Sequence, residues 1–207
     1  MEQYETEEQQ VEAIKRFWKE NGVAIIVGAV LGLGGLYGWR YYNEQKIADQ
    51  EQASAAYETT TQALTQDETG FSQAQAYIDD NSDTGYALLM AFKLAQQAIE
   101  RKDLTEAAKH LSFAAANAQN DSIQAIANLR LARVQLEQEQ LEQALLSLDK
   151  VTDEAFRAQR QEVKGDVYMA QQLFDKARAA YSSALEDNAN NDVLKMKLDN
   201  LATVANG

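Results

Sequence analysis

The chain has no cysteine, no proline and one histidine in 207 residues. Without cysteine there is no disulfide, no thiolate nucleophile and no Cys-based zinc site. The single His110 has no second imidazole with which to share a metal, and its place on the second helix of a pair predicts an exposed or rim position. Any block of basic residues is also missing: 19 Lys plus Arg stand against 32 Asp plus Glu, a net charge of −13. Neutralising phosphates needs a basic surface, so nucleic acid is excluded as a partner. The lack of proline removes the strongest helix breaker, while the abundant Ala, Gln, Leu and Glu lose little on entering a helix. No segment reads as a run of strands, and the expected class is all-α.

Charge is also absent from Gly22 to Trp39, a run of 18 residues that at helical rise spans about 27 Å, against a hydrocarbon core of about 30 Å. Phe17 and Trp18 on one side, and Tyr37, Trp39, Tyr41 and Tyr42 on the other, supply aromatic belts. Lys15, Arg16 and Lys19 precede the run, and Arg40 and Lys46 follow it, which favours an N-terminus on the cytoplasmic side. A transmembrane helix over 21–40 is therefore expected. Gly32, Gly34 and Gly38 also fit the spacing of one dinucleotide-binding loop. Such a loop needs a βαβ unit around it, and nothing downstream supplies the strands. A cleaved signal peptide is the other reading; the acid-rich leader and the lack of a small-residue cleavage site after Trp39 argue for a retained anchor.

Six of the ten glycines lie in this segment. At helical periodicity Ala24, Gly28, Gly32, Gly35 and Gly38 share an arc of about 120°, with Ile25, Ile26, Val30, Leu33 and Leu36 over much of the remainder. Between membrane helices close approach over small residues makes a packing face, so this stripe is expected to meet a partner's membrane helix. The competing reading is that glycine is simply tolerated in membrane spans. Residues 1–20 form a cytoplasmic leader in which Val11, Ile14, Phe17 and Trp18 mark a short amphipathic helix, lying on the inner leaflet of the lipid bilayer or continuing the span.

The rest of the chain, 41–207, is a repeat. Gly165, Tyr168, Ala177, Tyr181 and Ala184 sit at offsets 0, 3, 12, 16 and 19, the skeleton of a tetratricopeptide unit. The position usually held by proline is Ala189, and that of the early tryptophan is Gln161. Earlier copies follow in the same frame: Leu94, Ala95, Ala98, Ala107, Leu111 and Ala114, then Leu131, Ala132, Ala144, Leu148 and Val151. The turns DLTEA, QLEQA and LFDKA align Leu104, Leu141 and Phe174. Units are expected near 55–87, 88–124, 125–157 and 158–189, with a capping helix over 190–204 carrying Leu194, Leu198 and Leu201. A generic helical bundle shares this period and stays open as the other reading. The fold expected is thus one N-terminal transmembrane helix, then a tetratricopeptide-like superhelix with a C-terminal cap.

No Ser-His-Asp set, paired carboxylates or phosphate loop can be assembled, so neither an enzyme nor a cofactor is expected. DDNSDTG at 79–85 resembles a calcium loop, but Thr84 stands where the glycine turn is needed and Met90 where the bidentate acid is needed. It reads instead as an inter-repeat loop with Ser82 or Asp83 capping the next helix. The first helices of the pairs should line a groove at Leu89, Phe92, Gln96 and Ile99, then Ile126, Leu129, Arg133 and Leu136, then Glu162, Asp166 and Met169. The same positions also suit inter-repeat core.

The leader QVEAIKRFWKENG, the anchor ending GWRYY, the segment NLRLARVQLEQ and the eroded repeats together resemble the YfgM family of ancillary SecYEG translocon subunits along essentially the whole chain. That resemblance implies a single-pass bacterial inner-membrane protein with its repeat domain in the periplasm. It also implies association with the SecYEG translocon and with a membrane-anchored periplasmic chaperone of the prolyl-isomerase type. The function implied is a non-catalytic adaptor that helps pass translocated proteins to periplasmic chaperones. The family offers a second role: a leader that docks a cytoplasmic response regulator of a stress response.

Overall fold

The structure, a computed structural model, describes residues 7–66 and 69–204, all of whose regular elements are helical. The first six leader residues lie outside that range. The chain divides into two compact units, 1–52 and 53–207. Helix α1, Glu7–Gln66, belongs to both, so helical continuity runs through the whole amphipathic leader segment and past residue 40.

In the first unit α1 leaves nearly all of its apolar side chains uncovered, among them Val23, Val30, Leu31, Leu33, Leu36 and Trp39. Among the described residues it is the one helix long and apolar enough to cross a membrane. A protein surface in water rarely presents so continuous an apolar cylinder; hydrocarbon accepts it, because every backbone group is bonded within the helix. Ala24, Gly28, Gly32, Gly35 and Gly38 are all exposed, and a methyl group added at any of the four glycines would meet nothing. Gly22 differs, since the indole of Trp18 lies over it.

The second unit starts where the chain is first tied down: the Tyr77 hydroxyl donates to the carbonyl of Ala53 at 2.8 Å. The end of α1 then pairs with α2, Thr69–Asp80, through Tyr57, Leu64, Tyr77 and Ile78. Three further pairs follow: α3, Gly85–Glu100, with α4, Leu104–Asn117; α5, Asp121–Glu137, with α6, Leu141–Asp149; and α7, Arg157–Ala170, with α8, Phe174–Asp187. A short 3-10 helix, Glu154–Phe156, leads into α7, and α9, Asp192–Val204, closes the series. From α2 on, each helix packs mainly on its neighbours in sequence, as a solenoid does.

Local chemistry explains the punctuation. The side chains of Thr84, Asp103, Asn120 and Asn191 accept from the backbone amides of Ala87, Glu106, Ile123 and Leu194, capping α3, α4, α5 and α9. Thr84, rather than Ser82 or Asp83, caps α3 because it is the last extended residue before Gly85. The three first helices end alike. Lys102, Glu139 and Gln172 take φ of 62°, 60° and 59°, and the amides that follow, of Asp103, Gln140 and Leu173, bond back to Ala98, Gln135 and Tyr168. These are Schellman turns made without glycine. They let Ala107, Ala144 and Ala177, all fully buried, bring each second helix against its partner.

One crossing is built differently. Ala95 and Ala132 on the first helices pair in register with Leu111 and Leu148, whereas α7 presents Gly165 to Tyr181. A Cβ on Gly165 would overlap the Tyr181 ring. The ring occupies the volume that a methyl group takes in the other two units.

Candidate interaction surface

The groove residues expected from the sequence do not share one surface. Phe92, Gln96, Ile99 and Arg133 come together along a cleft of about 940 Å³ between α3 and α5, floored by Leu104 and Leu111 of α4. Ala95, Val134, Arg130, Glu137, Glu100 and Lys102 complete its walls. Here α3 and α5 barely touch, whereas α5 and α7 approach directly. Between α3 and α5 stand Phe92 and Arg130, the guanidinium 5.1 Å from the ring centre. Leu89, one turn before Phe92, is 49% exposed but outside the cleft.

Leu129 is corrected from groove to core: it is 4% exposed and packs with Ala132, Leu148 and Val163. Leu136 packs partly buried against the same cluster, and Ile126 is half-buried outside the cleft. The physical reason is that α5 contacts both α6 and α7, so the face carrying residues 125, 129, 132 and 136 is turned into that junction. Arg130, Arg133 and Glu137 lie on the face left over. Their spacing of three and four residues was the available signal for the cleft.

Glu162 and Asp166 are corrected in another way: the chain itself occupies them. Lys197 of α9 donates to Glu162 Oε1 at 2.8 Å and to both Asp166 oxygens at 2.8 Å. The Tyr181 hydroxyl donates to Asp166 Oδ1 at 2.8 Å. Burial and then this carboxylate hold the Tyr181 hydroxyl protonated far above its ordinary range. Burial opposes the charge on Lys197, but the bonds to Asp166 and Glu162 outweigh it and raise its pKa. Met169 packs partly buried into the cluster that Tyr181 forms with Leu194 and Leu201 of α9. The capping helix therefore fills the α7 segment of the groove, and the α3/α5 segment stays open.

His110 is 2% exposed, not at a rim. Phe71 of α2 stacks edge-on against it, centroids 5.8 Å apart, because α2 reaches over the start of the stack. Its Nε2 has no hydrogen-bond partner among the described residues; Glu106 is the nearest acid, at 3.4 Å. Burial keeps the imidazole pKa below its ordinary value, with Glu106 pulling the other way. No group of three or more His, Asp or Glu among the described residues is placed to hold a metal ion.

These features define the class: a helical-repeat scaffold, half sealed by its own cap, preceded by a helix suited to a membrane. A family model described as a tetratricopeptide repeat-like domain matches residues 15–203. Proteins named ancillary SecYEG translocon subunit resemble the chain along its length. The one from Escherichia coli is 34% identical, covering 98% of this chain and all of the relative. Those from Haemophilus influenzae and Neisseria gonorrhoeae are 34% and 31% identical, each covering 94% of this chain and 97% of the relative. A crystal structure of a tetratricopeptide repeat domain aligns with a TM-score of 0.49 at 16% identity, covering 74% of this chain and 46% of that one. The chain belongs to the tetratricopeptide-like family of ancillary SecYEG translocon subunits.

Proposed function

We propose that the chain is a non-catalytic adaptor of the Sec translocon. It is anchored in the bacterial inner membrane by α1 with its N-terminus in the cytoplasm, and its repeat unit works in the periplasm. Translocated proteins pass beside it to periplasmic chaperones, one of them a membrane-anchored protein of the prolyl-isomerase type. The α3/α5 cleft holds a segment of the chaperone or of its client, and the stripe of Ala24, Gly28, Gly32, Gly35 and Gly38 meets a partner's membrane helix. The relatives' names support the translocon. The observation that carries the adaptor reading is the open apolar cleft beside a groove segment that the chain's own α9 has filled.

The test is co-purification from membranes. Ile99 is 45% exposed, so Ile99→Glu should weaken recovery of the chaperone or client while the helical signal is kept. Gly28→Leu with Gly32→Leu should weaken recovery of the translocon while insertion is kept. If both variants recover every partner as the parent does, the adaptor surfaces are misassigned. Tagged termini probed with protease in spheroplasts check the orientation: an outward-facing N-terminus overturns it.

A further inference from the structure

We propose that the α3/α5 cleft selects polypeptide segments that carry acidic side chains close to a bulky apolar anchor, and discriminates against basic segments. The inference rests on the reading of this cleft as an adaptor surface and adds the chemistry of its occupant. Ile99 and Leu104 offer the anchor an apolar seat. Around that seat stand three cations, Arg130, Arg133 and Lys102. Among the described residues none of them has a carboxylate within ion-pair distance.

The two acids of the cleft, Glu100 and Glu137, offset part of this charge but form no ion pair with the three cations, leaving a small local excess of positive charge. Glu100 is engaged along its own helix, its oxygens accepting from Gln96 at 3.0 Å and Gln97 at 2.9 Å. Glu137 lies one turn beyond Arg133 on α5, and no ion pair among the described residues joins them. A chain of net charge −13 repels an acidic segment at long range, so the preference must arise at this local cluster, inside the screening length. Guanidinium forks match carboxylates in two parallel bonds, and partial desolvation in a cleft strengthens such pairs. Arg130 is already placed by its stacking on Phe92, which lowers the ordering cost of using it.

The experiment uses the full chain in non-ionic detergent and three fluorescent libraries of short, C-terminally amidated peptides. The libraries share their apolar positions and carry Asp/Glu, Asn/Gln or Lys/Arg at fixed neighbouring positions; binding is read by fluorescence polarisation. The acidic library should bind roughly tenfold tighter than the neutral one, and the advantage should shrink in high salt. Arg130→Gln with Arg133→Gln should remove the preference, and Arg130→Glu with Arg133→Glu should turn it towards the basic library. Both positions are exposed, so helical content should not change. Equal binding of all three libraries, lost in Ile99→Glu, would overturn this inference and leave the adaptor cleft intact. Binding by no library would remove the cleft reading itself. Binding seen only when the amide is replaced by a free C-terminus would move the carboxylate from side chain to chain end and overturn the proposal.

Discussion

Gly165→Ala is the perturbation on which the packing argument turns. In an exposed helix interior this change stabilises by about 0.5–1 kcal/mol, since glycine has more backbone freedom to lose. At Gly165 the new methyl group runs into the ring of Tyr181, which is 2% exposed and held at its hydroxyl by Asp166. Neither ring nor helix can yield freely, and overpacking of this kind costs about 1–3 kcal/mol. The net expectation is a loss of about 1–2 kcal/mol. Tyr181→Leu alone should also destabilise, by about 2–3 kcal/mol, through lost ring volume and a carboxylate deprived of a donor. The pair reproduces what the chain already uses elsewhere, Ala95 with Leu111 and Ala132 with Leu148. The double variant should therefore lose less than the sum of the singles, with a coupling of about 1 kcal/mol or more. Urea unfolding of the full chain in mild detergent, followed by circular dichroism, gives all four corners of the cycle. A stabilising Gly165→Ala, or strict additivity, would refute the steric argument.

Two further outcomes follow from buried charge. Lys197→Met should free the cap, because Glu162 and Asp166 lose their shared donor and counter-charge; a cost of about 1–3 kcal/mol is expected, seen as faster amide exchange in α9 with α3 and α4 unchanged. The raised Lys197 pKa means that this contribution is full at neutral pH and is lost only as pH rises above the ordinary lysine range, so parent and variant should converge in strong alkali. His110 has the opposite sense. Its pKa is lowered in the fold, so the unfolded chain binds the extra proton first and stability falls as pH drops below about 6.5; His110→Leu should flatten the stability profile between neutral and mildly acidic pH, and an unchanged slope would assign the dependence to carboxylates instead.

The repeat frame was legible because the residues that set it are small. Ala107, Ala144 and Ala177 are spaced as the tetratricopeptide pattern demands, and their burial follows from close helix crossing alone. The turn residues were harder to read. Lys102, Glu139 and Gln172 adopt a left-handed conformation that glycine usually marks, so nothing in their identities announces it; only their spacing of 37 and 33 residues in step with the units does. The surface expectation puts Phe92, Gln96, Ile99 and Arg133 on helix faces turned to a groove, and these four line the α3/α5 cleft. It failed at Leu129 because a first helix in mid-stack has neighbours on two sides, and periodicity cannot say which side α7 will cover. It failed at Glu162 and Asp166 for a different reason: two acids one turn apart invite a cation, and the sequence distance to Lys197 hides that the chain supplies it. What remains open among the expected groove residues is a cleft whose walls carry arginine in a chain dominated by acids. The mean charge of the chain therefore describes its scaffold, and the arginine pair on the cleft face of α5 carries the proposed preference for an acidic segment.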